Sequence, residues 1–235
     1  MDPPLIPFGD DFIVDGSRWI LRPKAYTGIE AALRDTASLY RRQLWRDSNR
    51  YLIFICEKDV MAQLIYQETA TYEVPLAVIK GMSSKTFLWD SAEAIDAADK
   101  GTYLYFLGDH DGAGDDIIAS AVKRIRHYAD TGHDIYWQKL AVTPKQITEF
   151  NLPLRPAKTK KEEDDLKFQA GCVELDALPP DELLRIVREA IEEHIDHKAL
   201  KILQTAECNE REMMARIAGN LPDIRRYLDG GIEAE

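Results

Sequence analysis

The stretch GTYLYFLGDHDGAGDDII, residues 101–118, decides how the rest of the chain is read. A β-favouring run, TYLYFL at 102–107, stops at Gly108, and four acids follow at Asp109, Asp111, Asp115 and Asp116. Such a run bounded by glycine reads as a buried strand, and Gly112 and Gly114 permit a tight turn after it. A helix is expected over 115–129. Asp115 and Asp116 at its start are then explained by the preference of a helix N-terminus for negative charge. Asp109 and Asp111 are left over: two carboxylates from one turn, beyond the end of a strand.

Working outward, RYLIFIC at 50–56 and VPLAVIK at 74–80 read as two earlier strands, and DIYWQKLAV at 134–142 as a fourth. Helices are expected over 57–70 and from a turn at Gly81 and Ser83–Ser84 to about Ala98, with Ser84 as its cap. Strand–helix alternation with almost uninterrupted apolar strands predicts an α/β fold: a Rossmann-like parallel sheet of about four strands, covered by helices on both faces. Such a sheet places its ligands beyond the carboxyl ends of its strands. Residues 1–49 read as an N-terminal extension with a linker helix, 50–150 as the core, and 151–235 as a C-terminal loop and helical region. Thr27 to Glu30 fits a capping box. The helix it would open carries Ile29, Leu33, Ala37, Tyr40 and Leu44 on one face and Arg34, Arg41, Arg42 and Arg46 on the other. Thr143-Pro144 with Gln146 opens a short helix. The charged segment 155–167 has no core pattern and reads as a loop. After Pro179-Pro180, two amphipathic helices are expected, at 181–196 and 198–218.

Composition narrows the function. The chain has 235 residues, 45% of them hydrophobic, enough for a proper core. No apolar run approaches the roughly 18 residues of a membrane helix, and MDPPLIPFGDDF lacks the pattern of a signal peptide. Three widely spaced cysteines, Cys56, Cys172 and Cys208, suggest a reducing compartment. A cytoplasmic location is therefore expected, with Cys56 read as a small core residue. The net charge of −11 argues against a general nucleic-acid coat, though not against a nucleic-acid enzyme with an acidic metal site.

Glu57 follows the first strand directly and belongs at the same level as Asp109 and Asp111. Three adjacent carboxylates repel, and at least one protonates unless a cation intervenes. Oxygen-only ligation suits a hard ion, Mg²⁺ or Mn²⁺, whose open positions take water and phosphate oxygens. The bland alternative is a solvated turn, for which acids and glycines are ordinary. A calcium EF-hand lacks its closing glutamate, since position 12 counted from Asp109 is Ser120. There is no Cys-x-x-Cys pair for a zinc ribbon and no P-loop. His194 and His197, among Glu192, Glu193 and Asp196, read as a solvated helix face.

A glutamate after one strand and a DxD turn after a later parallel strand resemble a Toprim domain. The stretches CEKDVMAQLIY (56–66), VPLAVIKGMSS (74–84) and YFLGDHDGAGDDI (105–117) are most similar to the A subunit of topoisomerase VI and its meiotic recombination endonuclease relatives, in their shorter bacterial and phage forms. GCVELDALPPDELLRIVREAIEEHI at 171–195 resembles the C-terminal part of the same group. The resemblance implies a magnesium-dependent DNA-cleaving protein. Asp109 and Asp111 correspond to the metal-binding pair, and Glu57 to the glutamate that assists metal binding or acts as general acid/base. Lys58, Gly81, Ser83 and Arg42 are weaker candidates for contacts to DNA phosphates, each with a plain reading as a turn or an exposed cation. Gly112 stands where the family has proline.

One departure matters. The family cuts with a tyrosine on a winged-helix domain before the Toprim domain, and about 49 residues precede the first strand here. Tyr26 and Tyr40 receive no nucleophilic role, and no tyrosine is expected in an exposed, basic setting. The alternatives to strand cleavage of topoisomerase type are a non-catalytic DNA- or partner-binding module and a nuclease using metal-activated water. The resemblance also implies a two-fold homodimer, for which Leu183, Leu184, Val187 and Ile191 offer an apolar stripe, and leaves open a separate ATPase subunit or a missing winged-helix domain.

Overall fold

The computed structural model describes residues 24–79, 85–155 and 171–232, at 112–117 and 228–232 as backbone alone. Gly81, Ser83 and Ser84, and nearly all of the charged segment at 155–167, lie outside the described residues.

Helix α1 (Ile29–Leu39) is followed by β1 (Arg50–Cys56), α2 (Asp59–Thr71), β2 (Leu76–Val78), α3 (Lys85–Ala98), β3 (Gly101–Leu107), α4 (Gly112–Tyr128) and β4 (Ile135–Ala141). Then come α5 (Pro144–Glu149), a 3-10 turn at Leu175–Ala177, α6 (Pro180–Glu192), α7 (His197–Gly219) and α8 (Leu221–Ile232). The four strands form one all-parallel sheet in the order β2-β1-β3-β4. This is the α/β architecture expected from strand–helix alternation. Each of the two central strands is buried along most of its length, so neither can show polar alternation.

Alternate residues of β1 and β3 feed two cores. Leu52, Phe54, Cys56, Tyr105 and Leu107 pack with Ala62 and Ile65 of α2 and with Leu183, Val187, Ala190 and Ile191 of α6. Ile53, Ile55, Leu104 and Phe106 pack with Leu88 and Ile95 of α3 and with Ile118, Val122 and Ile125 of α4. Each fully buried aliphatic side chain contributes about 1.5–3 kcal/mol relative to exposure. The apolar stripe Leu183, Val187 and Ile191 is consumed by this chain's own sheet. Leu184, the fourth residue of the stripe, is half-buried and lies outside this core cluster. Cys56 is a core residue, and burial pushes its thiol up to about 11.

The chain divides into two compact units, one of residues 41–206 and one in which 24–40 join 207–232. In the second unit the Tyr40 hydroxyl donates to Glu210 at 2.8 Å, and Arg211 Nε donates to the Tyr40 carbonyl at 2.8 Å. The capping box at Thr27–Glu30 does not form. The cap position is Gly28, with no side-chain hydrogen bond, and the helix ends at Leu39, so Leu44 and Arg41, Arg42 and Arg46 lie beyond it. By contrast, the box at α5 forms fully. Thr143 Oγ1 accepts from the Gln146 N–H, and Gln146 Oε1 accepts from the Thr143 N–H. Helix α8 was not expected from the sequence.

Candidate functional site

The strand order locates the site before any side chain is considered. From β1 the chain crosses to β2 on one side, then returns past β1 to β3 on the other. The direction of winding reverses between β1 and β3, and parallel α/β sheets bind ligands in the crevice beyond the carboxyl ends at such a switch. Glu57 follows β1 and Asp109 follows β3. The Glu57 N–H donates to the Leu107 carbonyl at 3.0 Å, which places the two strand ends side by side.

Glu57, Asp109 and Asp111 come together here electrostatically. Burial, then the charges of Asp109 and Asp111, push the Glu57 carboxyl above its ordinary value, opposed by the Asp109 backbone N–H and by Lys139. Gly108 makes the approach possible. A Cβ at this position would sit 2.8 Å from Glu57 Oε2, so any side chain would displace the carboxylate. The turn is braced on its other flank: Gly108 N–H donates to the Ala141 carbonyl at 2.8 Å, and Lys139 Nζ to the Asp109 carbonyl at 2.8 Å.

Lys58 lies in the same cluster. Its ammonium is 3.4 Å from Asp109 Oδ1, 3.1 Å from Glu174 Oε2 and 3.4 Å from Asp176 Oδ2. Partial burial disfavours its charge, but the hydrogen bond to Glu174 and the charges of Asp109, Asp176 and Glu174 outweigh this and raise its pKa. The plain reading of Lys58 as an exposed first-turn lysine is thus replaced by a partly buried ion-pair centre. Glu174 also pairs with Arg155. The segment carrying Glu174 and Asp176 is fixed to the DxD turn by backbone bonds. His110 and Val173 exchange hydrogen bonds of 2.8 and 3.1 Å, and the Leu175 N–H donates to Asp109 Oδ1 at 2.8 Å.

The donor set suits a hard divalent cation: three carboxylates, no thiolate, and one carboxyl whose ionisation its neighbours oppose. Among the described residues, no group of three acidic, histidine or cysteine side chains is gathered tightly enough to hold an ion as it stands. At Asp109, Oδ1 meets the Lys58 ammonium and the Leu175 N–H instead.

Arg42 is not brought to this site. It belongs to the segment leading into β1, where the Leu44 N–H and Trp45 Nε1 are tied to Glu73 and to the Tyr72 carbonyl beyond α2. The seven-residue strand β1 puts about 20 Å between that edge and Glu57. A cavity of about 280 Å³ lined by Trp45, Arg46, Arg50 and Lys100 also lies at that far edge, away from the acids. His194 departs from its expected solvated face. It is half-buried, with Nε2 2.6 Å from the Tyr105 hydroxyl and Nδ1 3.0 Å from Arg50, while His197 is exposed. Tyr26 is exposed, its hydroxyl donates to Asp35 at 2.7 Å, and Lys24 lies 5.5 Å from its ring centre. It does have a basic neighbour, contrary to expectation.

Lys139, Glu174, Asp176 and Arg155 were missed from sequence. Lys139 alone left a trace, as a cation near the carboxyl end of an apolar strand. No family model matches this chain, and no curated protein matches it.

Proposed function

We propose that this chain is a Mg²⁺- or Mn²⁺-dependent DNA-strand-cleaving protein of Toprim type, similar to the A subunit of topoisomerase VI. The observation that carries the reading is that Glu57 and the DxD turn follow the adjacent ends of β1 and β3 at the switch point, where burial, then the charges of Asp109 and Asp111, oppose ionisation of Glu57. Glu57, Asp109 and Asp111 would hold the ion, which supplies charge neutralisation at the scissile phosphate and stabilises its attacking or leaving oxygen. Asp109 is oriented by the Leu175 N–H, and Lys139 fixes the backbone of the turn. Alternatively Glu57 leaves the ion to the two aspartates and exchanges a proton at the reacting oxygen. On a chain of net charge −11, a cation at the carboxylates lowers the repulsion of a polyanion from this crevice.

The chemistry is phosphodiester transesterification or hydrolysis. The two-fold homodimer implied by the family belongs to this proposal, with a contact surface other than the buried face of α6. The test is nicking of supercoiled plasmid with Mg²⁺ or Mn²⁺, alongside calorimetry with Mn²⁺. Equal Mn²⁺ affinity in wild type and Asp111→Asn would sink the site assignment. A second reading, a DNA- or partner-binding module that does not cut, is favoured by the Lys58 ammonium on Asp109. Mn²⁺ binding without any nicking would select it.

A further inference from the structure

We propose that Lys58 is an internal counter-ion standing in for the cation at Asp109, and that Glu174 and Asp176 are positioning residues that take Lys58 over when a divalent cation binds. The inference rests on the reading of Glu57, Asp109 and Asp111 as a divalent-cation site.

The geometry is that of a handover. One ammonium is shared among three carboxylates, and its shortest contact, 3.1 Å, is already to Glu174 rather than to Asp109. Leaving Asp109 requires only that the flexible lysine stem lean further toward Glu174 and Asp176. The backbone that carries Glu174 is held on the DxD turn without Lys58, by the His110–Val173 backbone pair, and Asp176 follows two residues later. A divalent cation at Asp109 repels an ammonium on the same oxygen, so the lysine must have another anionic partner within reach. Glu174 and Asp176 supply it. Without them Lys58 is left to Asp109 alone and competes with the incoming ion.

The test is calorimetric titration of the full chain with Mn²⁺ alone, in wild type, K58Q, E174Q/D176N and the triple variant. E174Q/D176N should lose about tenfold or more in Mn²⁺ affinity, as removal of groups behind metal ligands commonly does. K58Q should bind Mn²⁺ more tightly than wild type. The triple variant should match K58Q within about twofold, the scatter of independent measurements. A tenfold loss that persists in the triple variant would overturn the handover, because Glu174 and Asp176 would then act without Lys58. Weaker binding by K58Q would overturn it too. Circular dichroism checks folding, and failure of both K58Q and K58M to fold would make Lys58 a structural pin and end the proposal. If wild type binds no Mn²⁺, the metal-site reading itself falls. If wild type binds and the variants break the pattern, only the handover falls.

Discussion

Gly108 shows how much one missing side chain decides. Its Cβ would meet the mobile end of Glu57 rather than backbone, so the sheet can absorb the change while the carboxylate cannot keep its place. Gly108→Ala should fold with an unchanged circular dichroism spectrum. It should lose about a hundredfold in metal-dependent nicking, the scale of a misplacement near 1 Å. Wild-type nicking by this variant would show that Glu57 has no part in the chemistry. His194 offers a residue-scale test unrelated to the acids. Arg50 can only donate, so Nδ1 accepts, and the neutral ring places its proton on Nε2, facing the Tyr105 oxygen. Burial, then the Arg50 charge, lowers its pKa from 6.5 to about 4. A lowered histidine binds fewer protons folded than unfolded, so its stabilising effect is complete above pH 6.5 and is lost as pH falls towards about 4. Urea midpoints of wild type should therefore drop more steeply across that window than those of His194→Gln. Parallel curves would refute the buried neutral ring.

At the scale of elements, α6 is the informative case. Its first turn carries Asp181 and Glu182, suited to a helix N-terminus, and Pro180 opens it. Its apolar stripe was legible, but its destination was not, because a stripe at helical spacing fits a subunit interface and an intramolecular core equally well. Tertiary packing resolves the ambiguity. Leu183, Val187 and Ile191 are fully buried beside β1, β3 and α2, and Arg188 pairs with Glu68 on α2 at 2.7 Å. Leu183→Ala should cost about 2–5 kcal/mol in urea unfolding, the range for a buried leucine. A loss under about 0.5 kcal/mol, the scale of surface changes, would mean that this face is solvated.

At the scale of the whole molecule, the proposed strand cleavage raises the question of which group would attack phosphorus. The tyrosine hydroxyls of Tyr26, Tyr40 and Tyr72 are bonded to Asp35, Glu210 and Glu192, and burial raises Tyr105 to about 12. At Tyr72 burial, then the Glu192 carboxylate, likewise disfavours the phenolate that would attack phosphorus. Cleavage by this chain alone should thus be hydrolytic, dependent on Mg²⁺ or Mn²⁺, and absent in Asp109→Ala. End-labelled duplex incubated with Mn²⁺ and quenched with detergent should leave no label on protein. An adduct mapped to Tyr26, the exposed tyrosine with Lys24 beside it, would reverse this expectation. Among the described residues, no helix is long and apolar enough to cross a membrane.

Local chemistry written in the chain was enough to determine the four strands, the helices between them and the parallel sheet. A strand buried on both faces must be apolar throughout, and RYLIFIC and TYLYFL can serve little else. It also led to the expectation that Glu57, Asp109 and Asp111 lie near one level, because Glu57 directly follows β1 and the DxD turn lies just beyond β3. The strand order, and with it the switch point between β1 and β3, came only with the tertiary structure, since four apolar strands carry no label of their neighbours. The partners of Lys58 depended on it as well. Glu174 and Asp176 lie more than a hundred residues downstream, and the backbone pairing of Val173 with His110 and the Leu175 bond to Asp109 bring them to the ammonium. Spacing along a chain reports what one helix face or one turn can gather, whereas a contact across that separation is set by the packing of the sheet between them.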